Sequence, residues 1–333
     1  MASQLDESRA VLAGSLPGVF PAGARFEEAV RSGRLDLPLP GRGRTRERWA
    51  AFGCLAEEDL ALARLCEGHA DALAILAELG GERPQGSRWG VWAAQPPGPG
   101  LQAELREGQW RLDGTKQYCS GAHTCSNALV TAKAPDGQRL FAVSTETLKP
   151  IPGTGPSVGM LASDTLNVAF KDVEGLPLGP PDAYTRRPGF AHGGVGVAAC
   201  WFGGARAIAR ALHSAAGNND HIGEHALAHL GAVDIALTAA RSALDSAASE
   251  IDADPEDRAN TARVRALRVR ALVESTATEV MNRVGRALGA GPLCRDADHA
   301  RKVADLTVYL RQHHAERNLA ELGALVAEGK PTW

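Results

Sequence analysis

The sequence lacks any strong excess of one charge. Its 333 residues include 36 Lys and Arg against 39 Asp and Glu, which gives a formal net charge of −3. A protein that binds nucleic acid through a global positive field needs the opposite balance. The remaining composition, 44% hydrophobic and 23% charged, is ordinary for a globular chain. The sequence therefore predicts no nucleic-acid partner.

Targeting and spanning segments are also missing from the sequence pattern. The opening stretch, MASQLDESRAVLAG, has no basic start followed by an apolar run, as a signal peptide would. No apolar run resembles the roughly 20 residues that cross a bilayer. We therefore expect a cytoplasmic protein that does not associate with membranes.

Cysteine pairs with metal-ligand or redox spacing are absent as well. None of the six cysteines forms a CxxC motif, and most stand in apolar helical surroundings, so we expect buried free thiols in a reducing compartment. These residues are Cys54, Cys66, Cys119, Cys125, Cys200 and Cys294.

The histidines and glycines likewise give no metal or dinucleotide motif. His221, His225 and His229 recur at four-residue spacing and would share one helix face. The segment HALAH lacks the Glu that a zinc protease carries after its first His, and no distant third ligand is evident. No G-x-G-x-x-G follows a strand pattern, so we predict neither a metal site nor a Rossmann site.

The chain contains three regions that differ in composition and in hydrophobic periodicity. Residues 1–86 show apolar residues at helical spacing, and Gly80-Gly81 marks a helix end. Residues 87–185 are richer in Gly and Pro and contain short alternating runs, which predict an antiparallel β-domain. Residues 186–333 return to long helical patterns, at about 193–216, 222–250, 256–288 and 295–322. The predicted fold is mostly α, with a middle β-domain between a helical domain and a helical bundle.

The middle region contains the densest cluster of polar and small residues. The run LDGTKQYCSGAHTCSNALVTA turns at Asp113-Gly114 and continues into Lys116–Gly121. Downstream lie SVGMLASDTLNVAFKDVEG, GVGVAACWFGGARAIARAL and GRALGAGPLCRDADHA. In this order, the four segments resemble the acyl-CoA dehydrogenase superfamily over nearly the whole chain. The N-terminal domain is shorter than that family usually has.

The resemblance implies a cofactor and the residues that hold it. FAD would lie between the β-domain and the bundle, and a second subunit of a homodimer or homotetramer would contribute to the site. Tyr118 would pack near the flavin ring, and Ser120 and the backbone at Cys119 would bond its polar edge. The glycine-rich turn at Gly289 and Gly291 would also contact the cofactor. The substrate would be a small molecule, and the resemblance points to an acyl-CoA.

The catalytic Glu of that family has no counterpart here. Its position, nine residues after the Arg of the Arg-Asp pair, is occupied by Ala304. Asp305 follows, but it points about 100° around the helix. Asp234 and Glu224, in the second bundle helix, are alternative carboxylates. The identity of any catalytic base therefore stays open.

Two other departures weaken the dehydrogenase interpretation. Ala94, in AAQPPGPGL, replaces a hydroxyl residue that would touch the flavin, and no Arg occurs between Arg210 and Arg241, where the family has one for the FAD pyrophosphate. The segment RDADHARKVADLTVYLRQHHAERNLAELG is closer to the reduced-flavin monooxygenase branch. There His69 would be the flavin-side His, and a partner reductase would supply reduced flavin.

The sequence thus leaves three functions open. The first is an acyl-CoA dehydrogenase-like FAD oxidoreductase, which would pass electrons to an acceptor protein. The second is a monooxygenase on the same fold. The third is a degenerate, non-catalytic binding or assembly subunit.

Overall fold

The structure, a computed structural model, describes residues 21–218 and 222–329. Helices occupy both ends of this region and strands occupy its middle. The first helices are α1 (Pro21–Arg31), α2 (Thr45–Glu58) and α3 (Leu60–Leu79). The strands are β1 (Trp89–Trp92), β2 (Leu101–Arg106), β3 (Gln109–Cys119), β4 (Asn127–Ala134), β5 (Gly137–Ser144), β6 (Lys149–Ile151), β7 (Leu166–Glu174) and β8 (Leu176–Leu178).

The second helical region contains the bundle. Its elements are α4 (Ala183–Arg186), α5 (Pro188–Asn218), α6 (Glu224–Ala253), α7 (Ala262–Leu288), α8 (Gly291–Arg295), α9 (Ala297–Tyr309) and α10 (Ala315–Glu328). The predicted order of helices, sheet and helical bundle is confirmed. The predicted domain boundaries remain predictions: 86/87 lies between α3 and β1, and 185/186 lies within α4.

The sheet is mixed, whereas the sequence predicted an antiparallel one. Its strand order is β6-β7-β3-β2-β4-β5-β8, and β1 also pairs with β4. The β1–β4 and β2–β4 pairings are parallel, and the other pairings are antiparallel. The alternating runs predict where the strands lie, but not whether neighbouring strands run parallel or antiparallel. That depends on how the strands are connected, which the local pattern does not specify.

Helix α3 joins the amino-terminal helices to the sheet. Asp59 caps its start by accepting bonds from the backbone N–H groups of Ala61 and Leu62. Gly80 ends it with φ = 73°, as the sequence predicted. One face of α3 packs with α1 and the sheet, and the other packs with α5. The sheet and the bundle are therefore held on opposite sides of one helix.

Helix α5 is the centre of the bundle, and it packs against α2, α3, α6, α7 and α9. Residues such as Val195, Trp201, Ile208 and Leu212 are buried within the single chain. The apolar residues of GVGVAACWFGGARAIARALHSAA occupy more of the helix circumference than one core face requires, which predicts that the bundle continues across a subunit interface. Neighbouring helices of the same chain cover α5, so this helix does not supply that interface, and the oligomeric state stays a prediction.

Helix α6 is apolar but poorly covered. By length and composition, both α5 and α6 could cross a membrane, which the sequence interpretation did not anticipate. The apolar window of α5 is 78% buried, as expected of a core helix, whereas that of α6 is only 17% buried. Its most exposed large hydrophobic residue is Ile235, at 72%.

The carboxyl-terminal helix differs from the sequence prediction. The segment predicted as one helix over 295–322 is broken at a short 3₁₀ turn, Leu310–Gln312. None of the residues of α10, all of which are described, is buried. Two of the six thiols are also exposed rather than buried, at Cys54 and Cys294.

Candidate functional site

Strand β3 ends in a distorted turn at Tyr118. The pairing of β3 with β7 shifts register between Lys116 and Cys119, and Tyr118 has φ = 58°. This left-handed conformation is uncommon for a bulky residue. The Tyr118 side chain is 61% exposed, while Cys119 is fully buried. Backbone strain of this kind persists only where the surrounding structure enforces the conformation, and strained residues are common at functional sites.

Ser120 lies at one end of a chain of hydroxyl groups. Thr165 Oγ1 donates to Ser120 Oγ at 2.9 Å, and Ser163 Oγ lies 2.8 Å from Thr165 Oγ1. Trp92 Nε1 donates to the Ser120 carbonyl oxygen at 2.9 Å. Because Ser120 Oγ accepts from Thr165, its own O–H hydrogen can donate to a ligand. Ser120 therefore offers a hydroxyl donor in a fixed position, two residues after the exposed ring of Tyr118.

Lys116 supports this turn from the sheet. Its Nζ donates to the Thr131 carbonyl oxygen at 2.7 Å and to Thr131 Oγ1 at 2.8 Å. Burial lowers the pKa of Lys116 to about 8. Both bonds tie the end of β3 to β4, so Lys116 fixes the strand from which Tyr118 and Ser120 project.

A His-Asp pair lies on the same turn, and sequence reasoning missed it. His123 Nδ1 is 3.0 Å from Asp164 Oδ1, and the His123 backbone N–H donates to Asp164 Oδ2 at 2.7 Å. Asp164 is buried, whereas the His123 side chain is 56% exposed. The two residues are 41 positions apart, so no local spacing predicts the pair. Both lie in segments that resemble the family, LDGTKQYCSGAHTCSNALVTA and SVGMLASDTLNVAFKDVEG.

Apolar side chains project from the neighbouring loop. Val158 is 86% exposed and Leu161 is 49% exposed. Between them, Gly159 lies so close to α9 that an added Cβ would stand 2.2 Å from the Ala304 carbonyl oxygen. The position of the family's catalytic Glu therefore lies against the loop next to the Tyr118 turn.

Asp305 holds this loop to the bundle. Its Oδ1 accepts a short hydrogen bond from the Met160 backbone N–H, and Arg301 Nη1 is 3.7 Å from its other oxygen. Burial raises the pKa of Asp305 to about 6. The carboxylate of Asp305 is thus engaged in contacts that hold the fold together. A role for Asp305 as a catalytic base stays a prediction.

The other candidate catalytic residues lie on α6 and α3. Asp234 and Glu224 are exposed on α6, which packs against α2, α5 and α7. His69 is buried between α3 and β1, where its Nδ1 accepts from the Trp89 backbone N–H at 3.1 Å. Burial lowers the pKa of His69 to about 4, so its ring is neutral at neutral pH.

The glycine candidates form an open turn. Gly289, with φ = 64°, ends α7, and Gly291 begins α8. Both are exposed, and among the described residues no contact lies within 4 Å of the position of an added Cβ. Gly289 also lines a small pocket with Met281, Leu293 and Val303, and a role of either glycine in holding a cofactor stays a prediction.

No metal site emerges from the described residues. Within 21–218 and 222–329, no group of three His, Cys, Asp or Glu side chains could hold an ion. His221 lies outside the described residues. His225 is exposed, and His229 Nδ1 lies 3.4 Å from Arg283 Nη1.

A cleft of about 630 Å³ lies elsewhere on the molecule. Charged residues of α1 and of the segment before β1 line it, among them Glu27, Arg31, Arg83 and Arg88. It includes neither Tyr118 nor Ser120.

The Tyr118 turn offers the kinds of surface that a flavin ring system requires. A flavin has a flat apolar face and a polar edge, so its site needs an aromatic surface and a few aimed donors. Tyr118 provides the exposed ring, Val158 and Leu161 provide further apolar surface, and Ser120 provides the donor. The side chain of Cys119 points into the core, so only its backbone could take part.

Comparisons with known proteins agree with this architecture. No protein-family model and no curated protein matches the sequence. Among solved structures, KijD3 in complex with FMN and an amino-keto-sugar nucleotide has a TM-score of 0.80 at 18% identity, over 94% of this chain and 88% of that one.

Two further solved structures widen the comparison. The dibenzothiophene monooxygenase TdsC from Paenibacillus sp. A11-2 has a TM-score of 0.75 at 18% identity, over 93% of this chain and 91% of that one. The Tcur3481-Tcur3483 steroid acyl-CoA dehydrogenase has a TM-score of 0.72 at 20% identity, over 92% and 89%. The resemblance drawn from the sequence motifs is confirmed: this chain has the acyl-CoA dehydrogenase fold.

Proposed function

We propose that this chain is a flavin-dependent oxidoreductase of the monooxygenase type. The observation that carries the proposal is the absence of a free carboxylate at the base position of α9, among the described residues. Ala304 packs by its carbonyl oxygen against Gly159, and the neighbouring Asp305 is bonded to the Met160 backbone. A monooxygenase on this fold does not need that base, whereas a dehydrogenase does.

The acyl-CoA dehydrogenase reaction is the weaker alternative for the same reason. Removal of an α-proton requires a carboxylate within hydrogen-bond reach of the substrate carbon. Asp305 is engaged instead, because its Oδ1 accepts from the Met160 backbone N–H, so use of Asp305 as the base would compete with the hydrogen bond that holds the loop to α9. Oxidation of an acyl thioester therefore stays a prediction without a structural basis.

The residues of the Tyr118 turn would hold the flavin. Tyr118 would cover part of its face, and Ser120 would donate to its polar edge, with Lys116 keeping the strand in place. A bound flavin, once reduced, would supply the electrons for the reaction with dioxygen. Val158 and Leu161 would exclude water from that region.

We propose that the cofactor is either FMN or FAD. The sequence resemblance implied FAD, but KijD3 binds FMN in its complex. The missing Arg between Arg210 and Arg241 also removes the group expected at an FAD pyrophosphate. We therefore expect the chain to bind FMN at least as tightly as FAD.

The partners follow from this chemistry. A separate reductase would supply reduced flavin, and the substrate would be a small molecule. The structures similar to this chain include one bound to an amino-keto-sugar nucleotide and one named a dibenzothiophene monooxygenase. These give two substrate classes to test, sugar amines and aromatic heterocycles.

The experiment separates the three functions. The purified chain is titrated with FMN and FAD, and binding is followed by flavin fluorescence. The loaded protein is then mixed anaerobically with butyryl-CoA and octanoyl-CoA, and flavin absorbance is recorded. In parallel, oxygen uptake is measured with NADH, a flavin reductase and either indole or an amino sugar.

We expect flavin binding, no bleaching by either acyl-CoA, and substrate-dependent oxygen uptake. Ser120→Ala should weaken flavin binding by about 0.5–1.5 kcal/mol, while Ser144→Ala, at the exposed end of β5, should not. Rapid bleaching by an acyl-CoA would overturn the monooxygenase proposal. Absence of any flavin binding would favour the non-catalytic subunit instead.

A further inference from the structure

Helix α6 exposes one continuous side to solvent. Its apolar window is only 17% buried, whereas that of α5 is 78% buried. Exposed residues recur along α6 at three- and four-residue spacing, which places them on one face of the helix: Leu227, Gly231, Ile235, Thr238, Ala239 and Ser242. The opposite face is buried and includes Val233, Ala240 and Leu244. We name the exposed face the α6 stripe; its side chains are mostly apolar or small, and residues 21–218 and 222–329 leave it uncovered.

Two opposite charges lie along one flank of the α6 stripe. Asp234 and Arg241 are both exposed, and they stand seven residues, or about two helical turns, apart. In the described part of the chain neither side chain makes a hydrogen bond or an ion pair. Asp245, on the same flank, is already paired with Arg46 at 3.1 Å. Asp234 and Arg241 cannot pair with each other, because about 10 Å separates them along the helix at about 1.5 Å per residue.

The spacing of these two charges is self-complementary. A two-fold axis perpendicular to α6 at Thr238 lies midway between Asp234 and Arg241. Rotation about it lays a second copy of the helix antiparallel across the first and keeps the charged flank on the same side. Each Asp234 then faces Arg241 of the other copy, which gives two ion pairs. A parallel pairing would instead bring like charges together, and like charges oppose association.

The side chains near this axis permit close approach of two helices. Thr238, Ala239 and Ser242 are small, and an added Cβ at Gly231 would have no described atom within 4 Å. The side chains at a helix contact set the distance between the helix axes, so small residues let two helices meet closely. Ile235, 72% exposed, stands less than one turn from the axis, so a second copy would remove its side chain from water.

A lipid bilayer is the other surface that an apolar helix can meet. By length and composition, α6 could cross a membrane. Burial in hydrocarbon would leave Asp234 and Arg241 without water or a partner, which is costly. Helices that lie on a membrane surface carry a polar face rich in Lys and Arg, whereas the 30 residues of α6 contain one Arg and no Lys. A second copy of the chain therefore fits the α6 stripe better than a bilayer does.

We propose that the α6 stripe is a homodimer interface, in which α6 of two copies pack antiparallel about a two-fold axis at Thr238 and Asp234 of each copy pairs with Arg241 of the other. The interface involves none of the residues assigned to the flavin, so it stands or falls independently of the proposed function. Asp234, a candidate base by sequence, has its partner charge there.

Charge reversal tests the pairing. The dimer dissociation constant is measured by sedimentation equilibrium for the wild type, Asp234→Arg, Arg241→Asp and the double variant. Each single reversal places like charges together and should raise the dissociation constant about tenfold or more. The double variant exchanges the partners and should restore the constant to within about threefold of the wild type. Lys171→Asp, a charge reversal at an exposed position on β7, is the control and should leave the constant unchanged.

Disulfide cross-linking tests the position of the axis. The background is Cys54→Ser with Cys294→Ser, which removes the exposed thiols of the described residues. Under mild oxidation Thr238→Cys should form a linked dimer, because a residue on the axis meets its own copy. Ser246→Cys is the matched control, exposed on the same side of α6. Its own copy would stand about 25 Å away at about 1.5 Å per residue, whereas a disulfide joins Cα atoms within roughly 7 Å.

Four results would overturn the proposal. The first is a wild-type chain that stays monomeric at every concentration measured, and the second is a dimer that neither single reversal weakens. The third is a double variant that dimerises no better than the single variants, and the fourth is equal cross-linking of Thr238→Cys and Ser246→Cys, which parallel helices would give. A monomer that co-sediments with vesicles of phosphatidylcholine and phosphatidylglycerol, and loses that binding in Ile235→Asp, would show that a bilayer covers the stripe instead.

Discussion

At the scale of single residues, Tyr118 has a conformation that its type disfavours. A left-handed backbone costs a non-glycine residue about 1–2 kcal/mol. The register shift between β3 and β7 accompanies this conformation, and the ring is 61% exposed among the described residues. The strain is understandable if the ring contacts a ligand.

Replacement of Tyr118 by glycine should separate stability from binding. Tyr118→Gly removes the conformational strain, so we expect the free energy of unfolding to stay constant or to rise by up to about 1 kcal/mol. Flavin binding should weaken several-fold because the ring is lost. Urea unfolding and flavin fluorescence measure the two effects. Asp172→Gly, at an exposed left-handed residue, should change stability alone; a marked loss of stability in Tyr118→Gly would contradict this account.

The burial of Asp305 leads to a second prediction at the residue scale, which concerns how the free energy of unfolding depends on pH. Its pKa is raised to about 6 by burial, above the ordinary value near 4. Between these values the folded chain keeps a proton that the unfolded chain has released. The contribution of Asp305 to the free energy of unfolding should therefore fall as pH rises from about 4 to 6, by about 2–3 kcal/mol in total.

Asp305→Asn tests this pH dependence. The amide can still accept from the Met160 N–H, but it carries no charge. The difference in unfolding free energy between variant and wild type should therefore grow in the variant's favour from pH 4 to pH 6 and stay constant above it. Asp298→Asn, at an exposed position on the same helix, should show no such growth. A constant difference for Asp305→Asn would show that the carboxylate is not buried as described.

At the scale of elements, the contact between the Gly159 loop and α9 positions the site. An alanine side chain at 159 would stand 2.2 Å from a backbone oxygen, which cannot move without shifting the helix. Gly159→Ala should therefore destabilise the fold by about 1–3 kcal/mol. Gly285→Ala, in the open interior of α7, should instead stabilise it by up to about 1 kcal/mol. Thermal unfolding of the pair measures the contrast, and equal shifts would contradict the contact.

The elements also show which features a sequence can predict. Gly80 ended α3 as expected, because a helix stop depends on local backbone chemistry. The Tyr118 register shift was not predictable, since β3 and β7 are separated in sequence and alternation does not specify a bulge. The His123–Asp164 pair was missed for the same reason. The motif around Ser120 was recognisable because all its residues are contiguous.

The error over α5 has a different cause. Its apolar circumference correctly indicated burial on several sides, but a pattern in one helix does not reveal whether neighbours or another subunit provide the cover. The structure shows that neighbouring helices cover α5 and that α6 keeps an apolar face exposed. Any interface is therefore expected on α6.

At the scale of the whole molecule, we expect assembly through α6. Ile235 and Leu227 are both exposed on this helix, and such surface in a long apolar helix is typical of an interface. Ile235→Asp should lower the apparent mass in light scattering at micromolar concentration towards that of the 34.9 kDa chain. Leu105→Asp, at an exposed position on β2, should leave the mass unchanged. A wild-type monomer would contradict the prediction.

Hydrogen exchange in helix α10 offers a second measurement of oligomerisation. It is 14 residues long, none of them is buried, and it rests on α7 with an ion pair between Arg263 and Glu321 at 2.6 Å. A helix of this length is marginal in water unless something covers its apolar side. Its amide hydrogens should therefore exchange with deuterium early when the chain is diluted to monomers, long before those of α5. Slower exchange confined to Ala315–Glu328 at high protein concentration would identify α10 as a surface that association shields.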